Sequence, residues 1–595
     1  MNVPEVPFMR KNLFLFAILF AVVLIVSCAN NDGNEADVNA AWTYSSSSPM
    51  YKVGSSVASL TISGLTSGVS NLYLVKLNTG STAISAASTG CIYSTTGISS
   101  SSTNVRSAAA LETLSSASSG QIVNFIPPED LNPADVAESL TGSRDIVSNG
   151  NTSASRSACA STTTVATTTD SSEYTVGATK SLYVDQDSDI STFAEKQATL
   201  YAKGTHCYVW IVDDYYNATA SGDKVNATVA EAYANKFDEL YPMITNVFGY
   251  ESDLILKYNG STLSKDSMSS YDTGTMVNIV IYDIAKDYSA SSGSTSGIVG
   301  YFYSKDYYAV TSSSSKNSAI NYSNKGKYFY VDSYFANAYL DVTYSTLAHE
   351  FQHMINFGMK EIAHNVSPST WYNEMLSMVC EDMMQSQLGI DDDDSPKSRL
   401  STFNQYYYVS GVTDYLTSST SAILRSYSTA YAFGAWLCRW YGGANLVSKI
   451  MTNSYVDKDS IATAVSEVTG TTVTFADILE SYVRSLVFQD TALQQPTFNQ
   501  AASDSSCYVS LTYTGNGYAY PMNAINLWDS AYGWTATSGT GQTGPALLSS
   551  SSSGSKTLRP CGFTVHSIGT ASSDTVTLSI TEPDSSNEEL LIMVE

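Results

Sequence analysis

The sequence predicts a multidomain protein. A central α+β domain, built from a mixed sheet, a site-bearing helix and a mainly helical second lobe, is flanked by Ser/Thr-rich β-type modules. Three observations carry this expectation. The chain has 595 residues, beyond the roughly 250–300 at which single cores stop growing. Its texture shifts from Ser/Thr/Ala/Gly-rich to aliphatic and aromatic near residue 194, and back near residue 496. Between those points, short apolar runs alternate with segments of helical periodicity, the pattern of strands mixed with helices.

At the start of the chain, Arg10-Lys11 precedes an apolar run from Leu13 to Val26. That run is shorter than the about 20 residues that span a bilayer, so residues 1–27 read as a signal peptide. It ends in Ile25-Val26-Ser27-Cys28, which resembles a bacterial lipobox. The resemblance implies a lipoprotein whose Cys28 becomes the acylated mature N-terminus. Palmitate-type chains would hold it to a membrane of the bacterial cell envelope, the outer membrane or cell surface, because each buried methylene contributes about 0.8 kcal/mol.

Residues 28–125 are expected to form a small β-rich module, with strands at Leu60–Leu65 and Leu72–Leu77. Residues 126–193, including Pro127-Pro128 and the tract 139–173, read as a low-complexity linker or propeptide-like region. In the central domain, 194–495, the runs Tyr208–Val212, Val277–Ile284 and Tyr328–Val331 read as buried strands, and Val225–Val247 reads as a helix. Residues 496–595 return to alternation such as Thr575-Val576-Thr577-Leu578-Ser579-Ile580, which fits a C-terminal β-sandwich-like domain.

The chain carries 29 basic against 55 acidic residues, a net charge of −26. Nucleic-acid binding needs phosphate neutralisation and is disfavoured by that balance. Seven cysteines remain after Cys28, and none forms a C-x-x-C pair, so neither a zinc ribbon nor a thioredoxin-like site is indicated.

The segment that carries chemistry is Thr346-Leu347-Ala348-His349-Glu350-Phe351-Gln352-His353-Met354-Ile355-Asn356-Phe357. Residues four apart share one helix face, so His349 and His353 can offer imidazole nitrogens to one Zn²⁺. Glu350 is turned about 100° from His349, beside the metal, where a carboxylate can take a proton from a water. Tyr344, Leu347, Ala348, Phe351, Met354, Ile355 and Gly358 fall on the opposite arc, with Gly358 expected to stop the helix. The chain has only five histidines, so this spacing is a specific signal.

Catalytic zinc usually takes a third protein ligand. The metzincin pattern needs Gly and His three and six residues beyond the second histidine, where Asn356 and Met359 stand instead. His364 lies in the unpatterned stretch Ala363–Pro368. Glu374 is the better candidate. Ser369 or Thr370 can cap a second helix, and Glu374 lies among Trp371, Tyr372, Met375 and Leu376, where an unpaired carboxylate would be costly. Glu381, two turns beyond Glu374, competes for the ligand role, or with Ser377 supports a ligand histidine by hydrogen bonding.

These residues resemble the hyicolysin family of zinc metallopeptidases, a gluzincin group. The resemblance rests on Leu347–Asn356, on Trp371-Tyr372-Asn373-Glu374 with Leu376-Ser377, and on Tyr427–Gly434. It covers residues 195 to 490, and implies a zincin-like catalytic domain, protein or peptide substrates, and endopeptidase activity with Glu350 as base. Met375 departs from the Gly that often follows the ligand glutamate in such enzymes. Tyr431, or Tyr427 one turn earlier, is the candidate electrophile for the oxyanion.

Strand Tyr328–Val331 is expected to be the edge to which a peptide adds, and Asp391–Asp394 to be a solvated loop rather than a calcium site. Two other classes remain open: a surface adhesin keeping a degenerate peptidase domain, and a metal-dependent hydrolase acting on cell-wall peptide bridges or an ester.

Overall fold

The computed structural model describes residues 38–99, 124–125, 174–487, 517–549 and 556–595, with short breaks at 188–189, 272–273, 275, 290–295, 313–317, 524, 537–538 and 582–584. The signal segment 1–27, Cys28, Pro127-Pro128 and the tract 139–173 lie outside the described residues. Among the described residues no helix is long and apolar enough to cross a membrane.

The architecture is mixed α and β. Its central sheet has six strands: β1 (Thr179–Asp185), β2 (Phe193–Lys203), β3 (Cys207–Val212), β4 (Val277–Tyr282), β5 (Gly300–Phe302) and β6 (Lys327–Asp332), in the spatial order β5-β6-β4-β3-β2-β1. The inner pairs β3-β4 and β4-β6 are parallel, whereas β5, β2 and β1 pair antiparallel. β1 comes from the stretch expected to be linker. Its alternation, with Leu182 and Val184 buried and Ser181 and Tyr183 more exposed, marks an edge strand that is hydrophobic on one side only over most of its length. The Ser/Thr-rich surroundings hide that pattern in the sequence.

Strands β3, β4 and β6 are buried along their whole length, because both faces are covered. On one face Val209, Ile211, Ile279, Ile281, Phe329 and Val331 join the main core; on the other Tyr208, Trp210, Val280, Tyr282, Tyr328 and Tyr330 form a second one. This is the period of two that strand geometry dictates. Helix α1 (Ala227–Phe248) lies on the first face. The Asn226 side chain accepts the Val229 N–H and starts it, and Gly249 at φ 91° ends it.

Helices α2 (Leu340–Asn356), α3 (Thr370–Leu388) and α4 (Thr420–Tyr441) follow. Gly358 does not stop α2, because the chain continues in a π-helical turn over Phe357–Ile362. A Cβ at Gly358 would lie 2.8 Å from the Ser252 backbone nitrogen, so the glycine serves close backbone approach.

The two β modules expected at opposite ends of the chain share their sheets. One sheet orders Val38–Thr43, Val57–Ser63, Thr575–Thr581 and Cys91–Thr96. The other places Asn71–Asn78 between Phe563–Ala571 and Glu588–Val594, with antiparallel pairing on both sides. Leu60, Ile62, Leu72, Leu74, Val576, Leu578, Leu590 and Ile592 fill the space between the sheets. Val75, Leu77, Phe563, Val565, Leu591 and Met593 face outward into the main core, so the sandwich packs directly on the helical lobe. Residues 517–549 also belong to that lobe: the Tyr520 hydroxyl donates to the Met243 carbonyl at 2.9 Å, and Asn404 Nδ2 to the Leu527 carbonyl at 2.8 Å. Cys207, Cys380, Cys438 and Cys561 are free, buried thiols.

Candidate metal centre

Helices α2 and α3 face each other with matched polar stripes. On α2, Ser345, His349 and His353 recur every four residues; on α3, Glu374, Ser377 and Glu381 are spaced three and four apart. Both spacings keep the groups on one face of a 3.6-residue helix. The remaining faces are apolar and carry both helices into the core, with Leu347, Phe351, Met354, Met375, Met378 and Val379 all buried.

One ligand-capable atom from each of His349, His353 and Glu374 converges within 4.8 Å. Glu374 Oε2 lies 3.1 Å from His349 Nε2, and Oε1 lies 3.5 Å from His353 Nε2. The Nδ1 atoms point the other way. His349 Nδ1 is 2.7 Å from Glu381 Oε1, and the Ser345 hydroxyl bonds the second Glu381 oxygen. His353 Nδ1 is 3.1 Å from Ser377 Oγ, which donates to Gln352 Oε1 at 2.6 Å.

A hydroxyl has one proton, so Ser377, donating to Gln352, accepts from His353 Nδ1–H. A carboxylate only accepts, so His349 Nδ1–H donates to Glu381. Both tautomers therefore leave an Nε2 lone pair aimed at Glu374, as a metal ligand requires. Two imidazole nitrogens and a carboxylate oxygen make a donor set suited to a borderline-soft divalent ion.

Glu350 is buried beside this triad. Its Oε2 accepts the Phe302 N–H at 2.7 Å, which ties the metal helix to strand β5. The close approach depends on Gly300, where a Cβ would stand 2.4 Å from Thr346 Cγ2. Burial pushes the Glu350 carboxyl above its ordinary pKa, while His349, His353 and the Phe302 N–H pull it back. Burial also opposes charge on Glu374, but the protonated forms of His353 and His349 outweigh it and hold that carboxyl far below the usual range. The neutral tautomers that would face a metal exert no such pull.

β5, not the expected Tyr328–Val331 run, is the edge of the sheet on this side, since β6 is paired by both β4 and β5. Three residues within a Ser/Gly-rich loop give no periodicity from which to read it. The Phe302 N–H is likewise a functional group that side-chain reasoning misses.

Of the other expected site residues, Tyr431 commits its hydroxyl to a carboxylate outside the triad. Its hydroxyl donates to Asp382 Oδ2 at 3.1 Å, inside a buried ion pair with Arg439 Nη1 at 2.8 Å. Tyr427, one turn earlier on α4, is the tyrosine that feels Glu374. Burial first, then the charge of Glu374, pushes its phenol pKa well above the usual value. His364 is exposed and outside the cluster. Asp391–Asp394 are exposed, with Asp391 accepting the Asp393 and Asp394 N–H groups and Asp392 paired to Lys397. Met375 is accommodated across the helix pair: a Cβ on Gly434 of α4 would lie 2.7 Å from Met375 Cγ. The space that a glycine after the ligand glutamate would leave is supplied by the facing helix instead.

A second convergence escaped the sequence reading. Asp283 and Asp332 end the neighbouring parallel strands β4 and β6, and with Asp287 they bring oxygens within 4.8 Å of one another. Burial raises Asp283 and Asp287 to about 6, against backbone hydrogen bonds that lower both; the charge of Asp223 adds to the rise at Asp283 and that of Asp283 to the rise at Asp287.

Comparison with known proteins agrees with this geometry. The neutral metalloprotease ShpI of Staphylococcus hyicus is 27% identical over 194 residues, which cover 31% of this chain and 36% of the relative. The aligned part is thus about a third of that curated protein's length. The Peptidase M30 model matches residues 186–524, a stretch that begins just after β1 of the central sheet and takes in both polar helix stripes. Since that stretch is more than half of the chain, the protein belongs to the Peptidase M30 family.

Proposed function

We propose that the protein is a zinc-dependent endopeptidase of gluzincin type. The observation that carries the reading is the convergence of His349, His353 and Glu374 beside Glu350, with both histidines oriented from behind. These residues fit zinc in donor type and number, leaving one position of a tetrahedral ion open. When bound, zinc supplies a Lewis acid that polarises the scissile carbonyl and makes a water more acidic.

The chain's own groups carry the rest. Glu350, held by the Phe302 N–H, accepts the proton of the attacking water and delivers it to the leaving amine. Tyr427 stays protonated and is the donor for the developing oxyanion.

Purified protein incubated with casein should show cleavage that a chelator abolishes and added zinc restores. Glu350→Gln should retain zinc yet lose about two to four orders of magnitude in kcat. Absence of chelator-sensitive cleavage by the full chain would overturn the reading. The lipobox reading places this peptidase on a membrane of the cell envelope through Cys28. Labelled palmitate should enter the wild type and not Cys28→Ala; equal labelling would contradict it.

A further inference from the structure

The hydrogen bond that holds Glu350 is only as well placed as β5, a three-residue strand paired with β6. So short an edge gains little from its own ladder. Packing supplies the rest, and each residue of β5 is gripped by a different group. Gly300 lies against α2: a Cβ there would overlap Thr346 Cγ2 and the Tyr330 carbonyl, and would stand 3.8 Å from Glu350 Cγ. Tyr301 turns to the second core, stacked on Tyr330 with centroids 4.6 Å apart and its hydroxyl donating to Asp185 Oδ1 at 3.1 Å. Phe302 turns to the main core. Its ring centroid is 6.1 Å from those of Tyr307 and Phe357, which lie 5.2 Å from each other, and all three rings are buried.

Phe357 couples this aromatic cluster to the metal helix. It stands seven residues beyond Glu350, two helical turns, and so on the same side of α2. Its N–H donates to the His353 and Met354 carbonyls. One stripe of α2, formed by Thr346, Glu350 and Phe357, therefore meets β5 three times: at Gly300, at the Phe302 N–H and at the Phe302 ring. Phe357 also opens the π-helical turn, and that turn is anchored in its own right. Gly358 abuts the Ser252 backbone, and Lys360 Nζ donates to the Ile450 and Asn453 carbonyls at 2.7 Å each.

A hydrogen bond weakens steeply as its angle falls. In a close-packed interior the Phe302 N–H cannot swing away from Glu350 unless the Phe302 ring moves against Tyr307 and Phe357. Resting on the peptidase reading above, we propose that Phe357 is a positioning residue: through the Phe302 ring it keeps the Phe302 N–H on Glu350 Oε2, and so fixes the carboxylate that takes the proton of the attacking water.

The test uses the full chain loaded with zinc and a casein-derived peptide. Phe357→Ala should lower kcat by about tenfold to a hundredfold, the scale on which a displacement of about 1 Å acts on a reacting group. KM and zinc content should stay near wild type, and Phe357→Leu, which refills most of the space, should recover part of the loss. A residue that acts through Glu350 has nothing left to act on once the base is gone. On a Glu350→Gln background, Phe357→Ala should therefore leave the residual kcat unchanged. Hydrogen–deuterium exchange of the Phe302 amide, resolved by fragmentation mass spectrometry, gives a readout free of catalysis. Exchange should be slow in wild type and about tenfold or more faster in both Phe357→Ala and Glu350→Ala.

An equal loss of kcat in the wild-type and Glu350→Gln backgrounds would overturn the proposal, because a ring that only fills the core acts alike in both. Unchanged exchange at Phe302 in Phe357→Ala would also overturn it. If Phe357→Ala does not fold, as judged by its unfolding midpoint, Phe357→Leu takes its place in both measurements under the same criteria. If wild type cleaves no peptide, the peptidase reading fails, and exchange at Phe302 alone decides whether Phe357 holds the N–H on Glu350.

Discussion

At the scale of single residues, the two glutamates of α3 divide the work by which imidazole nitrogen they face. Glu374 lies at Nε2 of both histidines, and Glu381 lies behind His349 at Nδ1. Glu374→Ala should therefore lose stoichiometric zinc after dialysis, measured by mass spectrometry of the metal. Glu381→Ala should keep zinc, with affinity lower by about 10–100-fold, as for other supporting carboxylates. Stoichiometric tight zinc in Glu374→Ala would assign the third ligand elsewhere. His349, Glu350 and His353 were legible in the sequence because one helical turn fixes their relation locally. Glu374 was legible because a single short connection brings α3 back along α2. Ser345 and the Phe302 N–H were not: a serine is common in this chain, and a backbone donor has no signature until β5 is paired.

At the scale of elements, α4 sets two buried tyrosines one turn apart in different electrostatic surroundings. Tyr431 is committed to Asp382 and Arg439, a buried group that also ties α4 to residues 517–549 through Arg439 Nε and the Asn523 carbonyl at 2.6 Å. Tyr427→Phe should lower kcat by about tenfold to a thousandfold with little change in KM, the loss expected for an oxyanion donor. Tyr431→Phe should leave kcat near wild type and cost about 1 kcal/mol of stability, one hydrogen bond, read from denaturant unfolding. The reverse pattern would return the electrophile to Tyr431. Periodicity could name α4 as a buried helix, but its buried face includes both tyrosines, so the choice waited on the position of Asp382 across the helix pair.

At the scale of the whole molecule, buried carboxylates outside the metal centre contribute to the response to pH. Asp283 has a folded pKa of about 6, above its unfolded value of about 3.9. The folded state therefore binds more protons between those values, and stability falls as pH rises through roughly 4 to 6. Asp283→Asn should raise the unfolding midpoint at pH 8 and leave it nearly unchanged at pH 4; an equal shift at both values would contradict this account. The middle strands and helices were legible because each repeats its own local period. The joint sandwich was not, because strands from the two ends each alternate in the same way and nothing in either names its partner.

That shared sandwich has a consequence for how the chain comes into being. Tyr73 meets Glu595 across a sequence separation of 522 residues. At a synthesis rate of about 5–20 residues per second, the opening strands wait roughly half a minute to two minutes for the strands that flank them. Throughout that interval Asn71–Asn78 has neither neighbour in its sheet, and its unpaired backbone is a template for other chains. The sandwich closes only when Glu588–Val594 arrives, so truncation before that strand leaves the metal-binding helices made and the helical surface around Tyr407 and Tyr482, where Phe563 packs, open.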